Sequence, residues 1–149
     1  MTTPAPFHLL VDTREQRPPP WPDGVTTERI TLKTGDYTTR RLEKVGVIER
    51  KSASDFASTI TWGRERWDRE VERLHEFRWK LVVVEAEFQD VIRSTHTHPY
   101  AVIGTLASLI ARHDLPVTFV SNPFSAGRLI CGVLRRWEER VAAEEGAAA

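Results

Sequence analysis

The chain has 149 residues, 40% of them hydrophobic and 28% charged, which suits one folded domain with a substantial core. Its 21 basic and 21 acidic residues cancel, so any nucleic-acid contact must come from a local patch, not from the global positive field of a DNA-coating protein. A single cysteine, Cys131, excludes an internal disulfide, makes a reducing compartment the default, and reads within "GRLICGVL" as a small buried hydrophobe.

In chain order, "MTTPAPFHLL" lacks the basic region and apolar stretch of a signal peptide. "HLLVDT" (8–13) predicts a short strand, and "REQRPPPWPDG" (14–24) a Pro-rich loop. "VTTERITL" (25–32) alternates and is rich in β-branched residues, as a half-buried strand would be. "TGDYTTR" (34–40) and "KVGVIERK" (44–51) predict two more strands, joined so closely that an antiparallel hairpin follows. "SASDFASTI" (52–60) predicts a short helix, with Ser52 as N-cap and Asp55 three places on in a capping-box pattern.

From Gly63 the period becomes helical, with Trp67, Val71 and Leu74 on one face. "KLVVVEA" (80–86) predicts a strand buried on both faces. A helix from about Tyr100 to His113, a strand at "LPVTFV" (115–120) and a helix from about Ser125 to Arg140 follow, the last with Ala126, Ile130, Val133 and Trp137 inward. The tail 142–149 is expected to fray. "STHTHPYAVIGTLASLIA" is interrupted by Pro99 and polar residues and falls short of the about 20 apolar residues that span a bilayer, so a cytoplasmic, non-secreted protein is expected. No internal repeat or interdomain linker is visible. Early strands followed by strand–helix alternation predict an α/β fold with a mixed central sheet flanked by helices.

The hairpin carries the chemistry. A turn centred near Leu42 and Glu43 sets Asp36 opposite Glu49, where cross-strand Cβ atoms lie about 4.5–5.5 Å apart. Two carboxylates that close repel unless a cation sits between them, and oxygen ligands suit Mg²⁺ or Mn²⁺. Strand alternation puts Glu49 and Lys51 on one face and Arg50 on the other. Two acidic ligands beside an ammonium are what phosphodiester hydrolysis needs: a metal to activate water, and a lysine to orient that water or offset charge on phosphorus. A surface hairpin with a salt bridge among the same residues fits the short pattern as well.

"VDTREQR" (11–17), "TGDYTTR", "VIERKSASDF" (47–56) and "WGRERWDRE" (62–70) together resemble the XPF-type nuclease domain of structure-specific DNA endonucleases, over roughly residues 8–140. That family's hallmark is a GD pair followed by ERKxxxD, matched by Gly35-Asp36 and by Glu49 to Asp55. The resemblance implies a restriction-endonuclease-like α/β core and Mg²⁺- or Mn²⁺-dependent cleavage of branched, flap or junction DNA. It implies Asp12, Asp36, Glu49, Lys51 and Asp55 as active-site residues, the first three as metal ligands. Arg14, Arg50 and Arg64 are the expected DNA contacts, with Arg50 alternatively a brace. It also implies a homodimer, or a heterodimer with a related subunit, in which the apolar helices 100–112 and 125–141 could pair. A helix-hairpin-helix domain and a helicase domain, common in the family, are not expected within these residues.

Three lesser signals stay open. Arg64, Arg66, Arg69 and Arg73 line one helix, either as a solvated face or as phosphate contacts. Trp62 and Trp67 either pack in the core or stack on a splayed base. His96 and His98 have no cysteine or carboxylate cluster near in sequence to complete a zinc set. Two other functions compete with the structure-specific nuclease: a non-catalytic DNA-binding or scaffold subunit, and a less selective nuclease of phage or defence type.

Overall fold

The computed structural model describes residues 5–96 and 98–149; residues 1–4 and Thr97 lie outside it, and with them the start of the N-terminal segment and one residue of the "THTH" motif. Six strands form one mixed sheet: β1 Phe7–Asp12, β2 Val25–Ile30, β3 Tyr37–Thr38, β4 Gly46–Ser52, β5 Trp79–Glu85 and β6 Val117–Phe119, in the spatial order β2-β1-β3-β4-β5-β6. β1 runs parallel to β2 and antiparallel to β3, β3 is antiparallel to β4, and β4, β5 and β6 are mutually parallel. Five helices cover the sheet: α1 Ala53–Ser58, α2 Arg64–Leu74, α3 Phe88–Ser94, α4 Pro99–His113 and α5 Pro123–Ala148.

The mixed α/β architecture expected from the sequence is the one observed. Each sheet face buries its own apolar cluster. On one, Val47, Val82 and Val84 meet Phe56 of α1 and Trp67, Val71 and Leu74 of α2. On the other, Val11, Tyr37, Ile48 and Val83 meet Ile130 and Leu134 of α5. Fully burying such a side chain contributes about 1.5–3 kcal/mol relative to exposure. Val83 faces one cluster and Val82 and Val84 the other, which is why β5 reads as an unbroken apolar run.

Four elements differ from expectation. β2 is an outer strand whose residues 26–29 are all exposed, not half-buried; its alternation serves cross-strand contacts such as His8 Nδ1 to Thr26 Oγ1 at 2.8 Å and the Arg40–Glu28 ion pair. β3 is only two residues long, because the chain turns at Thr39, whose carbonyl accepts the Leu42 N–H. α3 has no counterpart in the sequence reading. α5 continues through 142–148 where fraying was expected, and its end is tied down by Arg78 donating two hydrogen bonds to Glu144 at 2.8 and 2.9 Å. Among the described residues no helix is long and apolar enough to cross a membrane.

β4 decides where the functional groups go. Val47 and Ile48 point to opposite clusters, so Glu49 and Lys51 continue the Val47 face toward α2, while Arg50 continues the Ile48 face. The entry to β3 is made by Gly35, at φ +82°, where an added Cβ would lie 2.1 Å from Val47 Cγ2. Gly35→Ala should therefore cost about 2–4 kcal/mol through left-handed strain and overpacking. A thermal melt should show the midpoint falling by roughly 5–15 °C.

Candidate active site

Tyr37 pairs with Ile48, and the same register extended by one residue sets Asp36 opposite Glu49. The β4 backbone grips Asp36 at two points. Its N–H donates to the Ile48 carbonyl at 2.9 Å, and its Oδ2 accepts the Arg50 N–H at 2.7 Å. Glu49 is 7% exposed. Burial is the main force on both carboxyls. It pushes Asp36 up to about 7, against the Arg50 N–H and the Lys51 charge, with Glu15 and Glu70 adding to the rise. Burial, the charge of Asp36, and both the charge and a carboxyl–carboxyl hydrogen bond of Glu70 raise Glu49 well above the usual range.

Lys51 is the only cation in salt-bridge contact with the pair's side chains among the described residues. Its Nζ lies 4.0 Å from Glu49 Oε1 and 3.7 Å from Glu70 Oε2, and 4.6 Å from the centre of the Trp67 ring. Asp36, Glu49 and Lys51 thus converge as the hairpin geometry predicts.

The other expected site residues sit elsewhere. Asp12 is buried beside this site, its N–H donating to the Asp36 carbonyl at 2.9 Å. Its carboxylate is already engaged: Oδ1 accepts the Leu32 N–H at 2.9 Å, and Oδ2 accepts Arg14 Nε at 2.8 Å. Burial raises its pKa, but these hydrogen bonds outweigh that and hold it below the ordinary value. Among the described residues no three His, Cys, Asp or Glu side chains form a group able to hold a metal. Asp36 and Glu49 thus form a pair, beside which the Asp12 carboxylate orients Arg14. Arg14 remains exposed on that side, donating also to the Leu32 carbonyl at 2.8 Å.

Arg50 and Asp55 lie on the opposite side of β4 from Lys51, where both line a cleft of about 370 Å³ with Glu15, Arg17 and Glu85. Arg50 donates from Nε to Glu85 at 2.6 Å and to the Arg17 carbonyl, and pairs with Glu15 at 3.5 Å. Its guanidinium ties the 15–17 loop to β4 and β5. Ser52 performs the predicted N-cap, its Oγ accepting the Asp55 N–H at 3.1 Å. Arg64 opens α2 and lines a groove of about 440 Å³ between α2 and α4. The two tryptophans separate: Trp67 is buried at the site and Trp62 is 89% exposed. His98 caps α4, its Nδ1 accepting the Tyr100 N–H at 3.2 Å, which is a structural role.

The ERCC4 domain profile matches residues 11–133, most of the folded chain and all of the strands that build this site except the first residues of β1. The chain belongs to the ERCC4 domain family. XPF from Aeropyrum pernix shares the fold: its structure in complex with DNA matches with a TM-score of 0.74 at 24% identity, covering 89% of this chain and 66% of that one. A second structure of the same XPF matches with a TM-score of 0.75, also at 24% identity, over 93% of this chain and 69% of that one. A protein of Methanocaldococcus jannaschii, named as an ATP-dependent RNA helicase, is 26% identical over 132 residues, 88% of this chain. This chain spans only 16% of that relative's length.

This ERCC4 domain offers donors of a kind that fits Mg²⁺ or Mn²⁺. Asp36 and Glu49 supply carboxylate oxygens whose ionisation burial disfavours, and Mg²⁺ is commonly held by one or two carboxylates with waters and substrate phosphates completing its shell. Sequence reasoning gave Glu70 no part in the site and left Trp67 between core packing and base stacking. The available signal was its position three residues after Trp67, at the border of the apolar stripe.

The titration of Asp36 has a stability consequence. Its folded pKa exceeds its unfolded one, so the folded metal-free chain binds the extra proton, and stability falls as pH rises from about 4 through about 7. Glu49 acts in the same direction, whereas the depressed Asp12 matters only below the ordinary aspartate range. Thermal melts of metal-free protein should decline across that window, and Asp36→Asn with Glu49→Gln should flatten the decline.

Proposed function

We propose that this ERCC4 domain is a Mg²⁺- or Mn²⁺-dependent DNA endonuclease that hydrolyses phosphodiester bonds in branched or flapped duplexes. The convergence of Asp36, Glu49 and Lys51 from two antiparallel strands carries this reading. Asp36 and Glu49 would hold the cation, which when bound supplies charge to polarise a phosphoryl oxygen and to acidify water. Lys51 then faces the scissile phosphate with an ammonium that offsets charge developing on its oxygens. Arg14, held by Asp12, presents a guanidinium to the backbone phosphates, and Arg64 extends that contact along the α2–α4 groove. The intact trio argues against a non-catalytic scaffold, since burying two carboxylates with no chemistry to perform is costly.

A labelled flap incubated with Mg²⁺ or Mn²⁺ should be cut by the wild type and not by Asp36→Ala. Equal cutting by both would remove the site assignment, and equal rates on linear duplex and flap would favour the less selective nuclease. Lys51→Ala should keep its Mn²⁺ affinity by calorimetry yet lose roughly 10²-fold or more in turnover. We also carry the homodimer as part of the proposal, because Tyr100, Ile103 and Ile110 leave α4 with an uncovered apolar face. Light scattering should report a dimer, and Ile103→Glu a monomer.

A further inference from the structure

The two carboxylates and the amine at the centre of the site lie on β4 and in the segment entering β3. The groups that hold Lys51 come from somewhere else. Its side chain is 13% exposed, and the two carboxylates in salt-bridge range are Glu49 at 4.0 Å and Glu70 at 3.7 Å. Glu49 belongs to the proposed metal shell and cannot serve both cations fully. Glu70 is free of that duty and stands nearer the ammonium.

Trp67, one helical turn earlier on α2, places its ring 4.6 Å from the same Nζ. Indole is the aromatic ring that attracts a cation best. Trp67 is 3% exposed, yet its indole N–H has no hydrogen-bond partner among the described residues. A phenylalanine would fill the same apolar position without stranding a donor, so the position makes use of the indole face. Val71 and Leu74, both buried, anchor α2 against the sheet and fix where Glu70 and Trp67 point.

We propose that Glu70 is a positioning residue, which with Trp67 clamps the Lys51 ammonium beside the Asp36–Glu49 pair. Helix α2 thereby completes the site from outside the sheet. Glu70, which also shares a hydrogen bond with Glu49, gives the amine a second counter-ion, and Trp67 gives it a surface to rest on. A lysine has a long flexible stem, and this clamp selects the one placement useful for chemistry. The effect on turnover rests on the nuclease reading above; the clamp itself does not.

The test uses Glu70→Ala, its size-conserving counterpart Glu70→Gln, and Trp67→Phe. Metal-free full-length protein is treated with limiting acetic anhydride, and acetylation of Lys51 is read by peptide mass spectrometry against the exposed Lys33. Lys51 should become several-fold more reactive in both Glu70 variants, and less markedly so in Trp67→Phe. Mn²⁺ affinity by calorimetry should stay within about threefold of wild type, while single-turnover flap cleavage falls by roughly 10- to 100-fold with little change in KM. Unchanged Lys51 reactivity in the Glu70 variants overturns the clamp. A loss of Mn²⁺ affinity beyond about tenfold also overturns it, by making Glu70 a ligand. Should Glu70→Ala unfold, as circular dichroism would show, Glu70→Gln decides. If the wild type cuts no DNA at all, the nuclease reading fails, and acetylation alone decides the clamp.

Discussion

Two acidic side chains are forced together at the centre of this molecule, and much of the surrounding structure is arranged to tolerate them. Asp36 and Glu49 oppose each other in the extended β3–β4 register, Glu49 buried and Asp36 half-buried, where like charges repel more strongly than in open water. The protein does not dissolve the conflict by surrounding both with cations. It gives Asp36 a backbone N–H from Arg50, sets one lysine nearby, and leaves the rest of the charge unbalanced. A carboxylate pair left in this state suits the divalent cation proposed above.

β4 separates two tasks that neighbouring residues would otherwise confuse. Glu49 and Lys51 face the helices α1–α4 and do the proposed chemistry, whereas Arg50 between them faces α5 and fastens the 15–17 loop. Three consecutive charges on a core strand are stable only because each finds partners on its own side. The Glu15 carboxylate that pairs with Arg50 also accepts the Tyr37 hydroxyl at 2.7 Å, so the brace reaches the strand that presents Asp36. A change on the Arg50 side would therefore be felt by Asp36 through the β3 backbone.

What could be read from the sequence was what depends on local period. The Asp36–Glu49 register follows from the position of the hairpin turn, and the Trp67, Val71, Leu74 stripe from helical spacing. The hidden parts depend on contacts far apart in the chain. Asp12 is engaged by the Leu32 N–H, twenty residues on, and Glu70 meets in the site a lysine on a different element. α3 escaped notice because it is seven residues long and its Glu87 cap makes no side-chain hydrogen bond. The persistence of α5 to Ala148 needs Arg78, which lies sixty-six residues before its partner Glu144.

The two borders of the sheet constrain how chains of this protein can assemble. An outer strand offers unpaired backbone groups that invite another chain to add itself, a route to runaway stacking. Here β2 meets that hazard with a charged surface, Glu28 and Arg29 in its middle and His8 and Arg40 paired onto Glu28, while β6 is three residues long. Neither border is a good template for a newcomer strand. Self-association through the sheet is discouraged at both margins, which directs any specific assembly to the helical surfaces.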